Sequence, residues 1–390
     1  MDKPVTQKGA IVLVSYPVQQ NPVLMKELEA LEESGWRITV VAWHRKGRYP
    51  GRYGKTLIDP IHIQGRFGQA GVGVAFQVIR FWVAAVLKLV GHSNRYTIIQ
   101  CQDLNTLLPG IVVSVFLKKK LIFDCHDPYP EMIATTHSRA LVRAAQWMEK
   151  RMCRAVDAVI TVNQAMRKRF EGICAKPIFV VYNYPEAARF VPERERRRKR
   201  PEIVIGRIGS IQEAVGIEET VSAFRECLKG HPVTLLFVGR ISDSFRERFA
   251  EMIRPLGPSV EIHEDVPFEK IPGFYRKMDI SMVLYPEHGI APFISPMKLF
   301  ESMAMGVPVI ASDIGEIRRT VERCRCGIVI PQNTNALILR ALRSLIGSRK
   351  KRTAFGQNGA RAIRDGMNWE TEKSRFVGAF ERVHGWSTSP

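Results

Sequence analysis

Residues 295–312 read SPMKLFESMAMGVPVIAS and decide the fold class, because they place a loop, a helix and a strand in direct succession. A loop with serine and proline leads into a helix that contains Lys298 and Glu301. The helix ends at Gly306, since glycine commonly follows the last turn of a helix. The apolar run at 307–311 then predicts a buried strand. This order of elements is typical of an α/β domain.

The start of this helix favours a ligand with one anionic part and one neutral part. A helix N-terminus presents unpaired backbone N–H groups and a positive dipole end, which suit a phosphate. Glu301 follows Lys298 by one turn, so the two side chains share one face of the helix. A cation beside a carboxylate suits a diphosphate joined to a neutral diol. The stretch therefore predicts a nucleotide-sugar site.

Strand-like and helix-like segments alternate along the whole chain. In the first half, short apolar runs predict parallel strands at 10–15, 37–42, 98–101, 120–124, 158–162 and 178–181. In the second half, they predict strands at 203–208, 233–238, 260–264, 280–284, 307–311 and 327–330. Helical patterns separate these runs, and the last one covers 353–383 with Trp369 available as an anchor. The pattern predicts two doubly wound, Rossmann-like parallel sheets.

The chain has 390 residues, which is enough for two domains that each have their own core. We expect an N-terminal domain at 1–190, a basic linker at 191–201 and a C-terminal domain at 202–365. We expect a C-terminal helix within 366–390, which could cross back to the first domain. Ligands of such sheets bind beyond the carboxyl ends of the strands, so a cleft between the two domains is the expected site.

The net charge of +20 indicates an anionic partner, and its distribution favours a membrane surface. The 45–95 region has nine Lys or Arg residues and one acid. Within it, the apolar segment 71–90 carries Arg80 and Lys88, which argues against a membrane-spanning helix. Two alternatives remain open: an amphipathic helix at the membrane interface, or a mostly buried helix of the first domain. Nucleic acid is a weaker partner, because no signature of a nucleic-acid-binding module is present.

The location expected from the sequence is the cytoplasm, at the cytoplasmic face of a membrane. The seven cysteines are scattered and odd in number, which indicates free thiols in a reducing compartment. The N-terminal residues also lack a secretory hydrophobic segment.

A second anion-binding element follows the first strand of the second half. Arg207 comes after the apolar run 203–206, and the small residues Gly209 and Ser210 follow it. The fork of a guanidinium group donates two parallel hydrogen bonds, which suits a diphosphate. A surface arginine of a basic protein is the alternative, and the helix at Lys298 makes the diphosphate reading stronger.

Together these motifs resemble the glycosyltransferases of the GT-B fold, in the large retaining group called family 4. The resemblance covers nearly the whole chain and is most specific in Ser-Pro-x-Lys-x-x-Glu at 295–301. Supporting motifs in the second half lie at 206–210, 216–218, 279–280 and 284–286. Those in the first half lie at 102–104, 124–131 and 159–163. The resemblance implies that no bound metal and no cofactor are needed, and no Asp-x-Asp motif lies near the site.

The resemblance also implies roles for individual residues. Glu301 would hold the ribose hydroxyls, and Lys298 and Ser295 would lie near the diphosphate. Arg207 would neutralise the leaving nucleotide, and His126 would face the donor sugar. A structural histidine at a strand end is the alternative for His126. The remaining nucleotide-sugar-binding candidates are Gly209, Ser210, Arg240, Pro296, Met297 and Leu299, and the weaker acceptor-side candidates are Asp103 and Asp127.

Two positions depart from the family pattern. Phe293 stands where many members carry a second glutamate, and Val215 stands where a second basic residue is common. Diphosphate binding would then depend more on Arg207 and Lys298, or Arg240 would compensate. Inverting relatives with a similar element exist, so the stereochemistry stays open.

The expected activity is transfer of a hexose from a nucleotide-diphosphate sugar, such as a UDP- or GDP-sugar, to an acceptor in glycan or glycolipid synthesis. The basic, apolar region of the first domain favours a lipid-linked or membrane-associated acceptor. Two alternatives are a nucleotide-sugar epimerase on the same fold and a non-catalytic protein that binds anionic lipid or nucleic acid. The loop 286–296 offers only Glu287 as the extra carboxylate that an epimerase would need.

Overall fold

The computed structural model describes residues 8–45, 47, 50–64, 72–134, 137–192, 202–213, 216–286 and 289–386, without the side chains of 72–75. The chain divides into two compact units. Unit 1 comprises Met1–Tyr182 and Glu372–Pro390, and unit 2 comprises Asn183–Thr371.

Unit 1 is built on an eight-stranded sheet with the strand order β3-β4-β2-β1-β5-β6-β7-β8. The described strands pair in parallel except β3 with β4. The order reverses at β1, which pairs with both β2 and β5, and every residue of β1 is buried. The strands are β1 Gly9–Val14, β2 Arg37–His44, β3 Arg52–Tyr53, β4 Thr56–His62, β5 Ile98–Gln102, β6 Lys120–Cys125, β7 Ala158–Thr161 and β8 Ile178–Val180.

Helices connect the parallel strands of unit 1, except between β2 and β4, where β3 but no helix lies among the described residues. They are α1 Pro22–Glu33, α2 Val72–Gly91, α3 Leu104–Leu117, α4 Tyr129–Ile133, α5 Arg139–Met152 and α6 Gln164–Glu171. The last helix of the chain, α14 Trp369–Gly385, belongs to this unit from Glu372 onward. Its Phe380 packs edge-on against Trp36, with ring centroids 5.6 Å apart, so the C-terminal helix is part of the unit 1 core.

Unit 2 contains a six-stranded sheet with the order β11-β10-β9-β12-β13-β14, and all its strand pairs are parallel. The strands are β9 Ile203–Ile208, β10 Val233–Val238, β11 Val260–His263, β12 Ile280–Val283, β13 Val309–Ser312 and β14 Gly327–Ile330. The helices are α7 Ile217–Leu228, α8 Arg246–Ile253, α9 Ile271–Lys277, α10 Met297–Ala304, α11 Gly315–Cys324, α12 Asn335–Ile346 and α13 Arg349–Arg364. Numbered within the unit, the order is 3-2-1-4-5-6, which reverses between β9 and β12. Ligands of doubly wound sheets bind at such a reversal.

The boundary between the units lies earlier than the expected residue 190. Residues 183–190 belong to unit 2 because their aromatic side chains pack into it. Tyr184 lies edge-on to Phe300 of α10, with ring centroids 4.7 Å apart. Phe190 packs against Tyr275 of α9 at 6.3 Å. The expected linker residues 193–201 lie outside the described part of the chain.

The helix expected at 353–383 is wrong in its length, because two helices, α13 and α14, cover that region. Gly366 separates them with φ +137°, a backbone conformation that favours glycine. Asn368 then caps α14, since its side-chain oxygen accepts from the Thr371 N–H at 3.0 Å. Trp369 is buried at the start of α14, as expected of a side chain that anchors this helix.

Candidate functional site

Arg207 lies at the reversal point of the unit 2 sheet and is almost completely buried. It belongs to β9, and its Nη1 donates to the carbonyl oxygen of Leu284, just beyond β12, at 3.1 Å. Among the described residues, its Nε has no hydrogen-bond partner and no carboxylate forms an ion pair with it. Burial lowers the pKa of Arg207 to about 10, which still leaves a cation at neutral pH. A buried cation without a counterion favours an anionic ligand.

Glu301 and Lys298 of α10 form the second element of the unit 2 site. The Glu301 side chain is buried, and Lys298 Nζ lies 3.2 Å from each of its carboxylate oxygens. Tyr275 of α9 donates its hydroxyl hydrogen to Glu301 Oε2 at 2.9 Å. The helical spacing of three residues places both charges together, as the sequence predicted. Two donors, Lys298 and Tyr275, therefore hold one buried carboxylate of α10 through three hydrogen bonds.

Some residues at the start of α10 are available to a ligand, and others are buried in the core of unit 2. Ser295 precedes the helix, and its buried Oγ has no hydrogen-bond partner within the described residues. Pro296 occupies the N-cap position, and Met297 is half-buried. Leu299 is fully buried in the core, and its N–H already donates to the Pro296 carbonyl at 2.9 Å. Its predicted contact with a nucleotide sugar is therefore wrong in geometry, because neither its side chain nor its N–H is available.

The backbone segments that follow β9 and β10 approach each other closely at Gly209 and Gly239. Gly209 has φ +126° and Gly239 has φ +148°, and both values favour glycine. A Cβ on Gly239 would lie 2.1 Å from the Gly209 carbonyl oxygen, so only glycine fits there. Ser210 and Arg240 follow these glycines and are both exposed. The hydrogen bond from Arg246 is the main cause of the low pKa of Glu264, and the positive charge of Arg240 lowers that pKa further. The Arg240 charge therefore already interacts with a carboxylate.

A hydrogen-bond network beyond β12 and β13 was missed from the sequence. Ser312 accepts the Tyr285 N–H at 3.0 Å and donates to Asn333 Oδ1 at 2.7 Å. Asn333 Nδ2 donates in turn to the Tyr285 carbonyl at 2.7 Å. The network fixes the backbone next to Leu284, which holds Arg207. Tyr285 lies in the 284–286 motif, but no motif links it to Ser312 and Asn333, because the three residues come from separate elements.

Of the two departures from the family pattern, the structure describes only the one at Phe293. Phe293 is half-buried in the short 3-10 turn Ala291–Phe293, so no carboxylate is present at that position. Val215 and Glu287 lie outside the described residues.

Replacing Tyr275 by phenylalanine is expected to lower the free energy of unfolding of unit 2 by about 1.5–3 kcal/mol, because the buried Glu301 carboxylate loses a hydrogen bond. Urea unfolding of the full chain measures this change. Tyr129→Phe is the control, since Tyr129 is exposed. Equal effects of the two substitutions would contradict a supporting role for the Tyr275 hydroxyl.

Unit 1 contains a buried cluster around His126, which follows β6. Its Nε2 lies 3.1 Å from Asp124 Oδ1 and 3.7 Å from Glu27 Oε1. Asp124 and Glu27 are buried, whereas His126 keeps 15% of its side chain exposed. The His126 backbone N–H donates to Asp103 Oδ1 at 3.4 Å. The His126 ring therefore reaches the surface, and the carboxylates of Asp124 and Glu27 lie buried behind it.

Burial and charge shift the pKa values in this cluster. Burial, and after it the charge of the neighbouring Asp124, raise the pKa of Glu27 to about 8. Burial raises the pKa of Asp103 to about 6, against the opposing effect of His126. Burial alone would lower the pKa of His126, but Asp124 and then Glu27 outweigh it and raise that pKa to about 10. His126 is thus an imidazolium cation at neutral pH.

Asp103 and Asp127 differ in their surroundings. Asp103 lies at the carboxyl end of β5 with φ 64°, and strained non-glycine residues of this kind are common at functional sites. Asp127 is exposed beside His126, and the positive charge of His126 acts on its carboxylate.

Among the described residues, this cluster is also the group of acid and histidine side chains that lie close enough together to bind a metal ion. One ligand atom each from Glu27, Asp124 and His126 lies within 4.8 Å of the others. His126 and Asp124 contact each other directly as an ion pair, although Asp124 Oδ1 has no hydrogen-bond partner among the described residues. Sequence reasoning gave no role to Asp124 or Glu27. An acid inside the apolar strand Leu121–Cys125 was the available signal for Asp124, and Glu27 had none.

A broad apolar surface lies on the outer face of α2 and the adjacent α3. The inner face of α2 is buried through Phe81, Ala85 and Leu89, and Lys88 pairs with Asp59 of β4. The outer faces expose large apolar side chains, among them Leu87 at 67% and Phe116 at 81%. The exposed members are Phe76, Ile79, Val83, Leu87 and Val90 of α2 and Leu108, Val115 and Phe116 of α3. We call these eight residues the apolar face.

Of the two alternatives left open for residues 71–90, the structure shows a helix of unit 1 that is buried along one side only. Contact of its exposed side with a membrane stays a prediction. Across the described part of the chain, no helix is both long and apolar enough to span a bilayer. Contiguous exposed apolar surface of this kind marks an interaction site.

Two family models match the chain. The model described as Glycosyltransferase Family 4 matches residues 22–184, and the model described as Glycosyl transferases group 1 matches residues 202–348. The first match lies almost wholly in unit 1 and the second lies in unit 2.

Two curated proteins are similar to parts of the chain. The putative teichuronic acid biosynthesis glycosyltransferase TuaH of Bacillus subtilis (strain 168) is 23% identical over 222 residues, which is 53% of this chain and 54% of that protein. The phosphatidyl-myo-inositol mannosyltransferase of Mycobacterium leprae (strain TN) is 32% identical over 85 residues, which is 22% of each chain. The chain thus spans about half the length of the first relative and less of the second.

Solved structures share the fold along nearly the whole chain. Sucrose-phosphate synthase from Thermosynechococcus elongatus has a TM-score of 0.80 at 18% identity, over 97% of this chain and 100% of that one. Anabaena Alr3699/HepE in complex with UDP-glucose has a TM-score of 0.70 at 15% identity, over 96% and 99%. The predicted fold class, two Rossmann-like α/β domains of the GT-B type, is confirmed.

Proposed function

The chain belongs to the glycosyltransferases of the group 1/family 4 type, since models of that class match both of its units, and we propose that it transfers a sugar from a nucleotide-diphosphate sugar to an acceptor. Arg207 carries this proposal. A buried guanidinium at the reversal point of a doubly wound sheet, with no carboxylate beside it among the described residues, suits the diphosphate of a donor.

The unit 2 residues then have separate roles. Arg207 and Lys298 stabilise the charge that develops on the leaving nucleoside diphosphate, because fixed cations in a dry site act most strongly on developing charge. Glu301 accepts hydrogen bonds from the ribose hydroxyls, and the unpaired Ser295 Oγ donates to a phosphate oxygen. Since the chain's own cations neutralise the leaving group, the reaction proceeds without a metal ion. Gly209 and Ser210 leave room for the phosphates.

In unit 1, His126 donates a hydrogen bond to the transferred sugar. Asp103 and Asp127 serve the acceptor hydroxyl. We propose a retaining outcome, which the resemblance to the retaining family 4 group implies.

The direct test is to incubate the full chain with a panel of UDP- and GDP-sugars and to follow release of the nucleoside diphosphate. Slow hydrolysis of at least one donor is expected, with acceleration by a suitable acceptor. Release without any donor preference would argue against a donor site. Conversion of the donor sugar into its epimer, with no release, would point to the epimerase alternative. UDP-glucose is the first donor to try, because the similar HepE structure contains it.

We further propose that the acceptor is lipid-linked and that unit 1 docks on the anionic cytoplasmic face of a membrane. The apolar face supplies the insertion surface, and basic residues on and near it supply the electrostatic attraction. These basic residues are Arg80, Arg95, Lys118 and Lys119. The name of the mycobacterial relative includes a phosphatidyl lipid, which agrees with such an acceptor.

Replacing Leu87 and Phe116 together by glutamate is expected to weaken binding to anionic vesicles at least about a hundredfold, because each substitution removes roughly 1.5–3 kcal/mol of apolar burial. Co-sedimentation with phosphatidylglycerol-containing vesicles at low salt measures this. Val191→Glu, on an exposed apolar residue of unit 2, is the control. Wild-type protein that stays in the supernatant at low salt would refute the membrane proposal and leave the donor site untouched.

A further inference from the structure

The Glu27, Asp124 and His126 cluster has a geometry that sequence motifs did not anticipate. His126 presents Nε2 toward both carboxylates, so Nδ1 is the ring nitrogen left for a ligand. Within the described residues, Nδ1 has no partner. The exposed part of the ring is small, and the two acids are buried beneath it.

Two buried glutamines donate hydrogen bonds to the carboxylate oxygens that point away from His126, one to each acid. Gln100 Nε2 donates to Asp124 Oδ2 at 2.7 Å, and Gln102 Nε2 donates to Glu27 Oε2 at 3.1 Å. This arrangement leaves Asp124 Oδ1 and Glu27 Oε1 as the oxygens nearest His126. Each acid therefore has one oxygen fixed by an amide and the other turned toward the imidazole.

The orientation of the Gln102 amide is itself fixed from outside the cluster. Tyr16, which follows β1, donates its hydroxyl hydrogen to Gln102 Oε1. Asn21, the N-cap of α1, donates to the Tyr16 oxygen at 2.8 Å. Because the amide oxygen of Gln102 is occupied, its NH2 group faces the carboxylates. The hydrogen bonds run from the start of α1 to the carboxylates of Glu27 and Asp124, which His126 contacts as an ion pair.

We propose that Glu27 and Asp124 are positioning residues for the sugar-transfer reaction: they hold His126 in one orientation, with Nε2 toward the two carboxylates and Nδ1 toward the substrate. The proposal rests on the proposed function of the chain, and it adds two residues from separate elements to the site. Asp124 orients the ring by its direct contact, and Glu27 adds a second carboxyl behind it.

The groups around His126 support a cation. The charged or titratable groups that face it or its carboxylates are Asp124 of β6, Glu27 and Lys26 of α1, Asp103 after β5, Asp127 and Tyr16. Acids outnumber bases in this set. The cation persists below pH 10 and is lost only as the pH rises through that value. Removal of the Asp124 charge would bring that loss into the neutral range.

Histidine-ring NMR of the full, 15N-labelled chain tests the proposal without any activity assay. The His126 signal is identified by its absence in His126→Gln. Wild-type His126 is expected to keep the shifts of an imidazolium from pH 5.5 to 8.5. In Asp124→Asn, its titration midpoint is expected to fall by at least about 2 pH units. Glu27→Gln should give a smaller fall, and Glu33→Gln, on the exposed face of α1, should give none.

A midpoint near 6.5 for wild-type His126, the ordinary histidine value, would overturn the proposal. The second readout is the ratio of Asp124→Asn to wild-type donor turnover, which should fall as the pH rises from 6 to 8. A constant ratio would reduce Asp124 to a structural role. Absence of turnover in the wild type would instead overturn the proposed function, while the NMR result would stand by itself. Should Asp124→Asn fail to fold, Glu27→Gln carries both measurements.

Discussion

Replacing Arg207 by alanine is expected to lower donor turnover by about 10²–10³-fold, because the leaving diphosphate loses a preorganised cation. The same substitution is expected to leave the free energy of unfolding unchanged or to raise it. Arg207 is a buried cation without a paired carboxylate among the described residues, so its removal also removes a desolvation cost. Loss of activity together with unchanged or greater stability is typical of a residue kept for function.

Two companion variants sharpen this prediction. Arg207→Lys keeps the charge but loses the fork of donors, so turnover intermediate between wild type and alanine is expected. Arg254→Ala, at an exposed arginine of the same unit, should be neutral in both measurements. Arg207→Ala protein that unfolds more easily and turns over donor at the wild-type rate would reverse the assignment and make Arg207 structural.

Replacing Gly239 by alanine is expected to lower the free energy of unfolding of unit 2 by about 3 kcal/mol or more. The new Cβ would lie 2.1 Å from the Gly209 carbonyl oxygen and 2.7 Å from its carbon, and backbone atoms cannot give way as a flexible side chain does. The φ of +148° adds strain. Because β9 and β10 would have to separate, the end of the strand that holds Arg207 would also move.

Urea unfolding measures the stability change, and nucleotide affinity of the folded fraction measures the change at the site. Gly230→Ala is the matched control, since a Cβ there meets no atom within 4 Å and its φ is not positive. The control should change stability by less than about 1 kcal/mol. Equal stabilities of the two variants would contradict the close approach of the two strand ends.

The sequence predicted where the strands and helices lie better than which strands pair with each other. Apolar runs located most of the parallel strands, because buried strands need continuous apolar residues. The two-residue strand β3 and the seven-residue strand β4 were missed, since polar residues and Pro60 interrupt the apolar pattern in β4. The strand orders, which create the reversal points, are properties of tertiary pairing and have no local signal. The break at Gly366 depends on one backbone angle that composition does not reveal.

The candidate site shows the same division. Lys298 and Glu301 could be paired from their spacing, because helix geometry alone brings them together. Tyr275 and Glu27 could not be found, since each reaches its partner from a distant element. Leu299 was misassigned because a motif names positions and does not say which of them face the core. For α2, periodicity identified the helix but not the face that stays exposed.

The central claim is that unit 2 holds a nucleoside diphosphate at Arg207, and titration calorimetry of the full chain with UDP and GDP tests it most directly. The account predicts that at least one of them binds with 1:1 stoichiometry, that Arg207→Ala abolishes the heat, and that Arg254→Ala does not. Absence of binding by both nucleotides, or equal binding by wild type and Arg207→Ala, would contradict it.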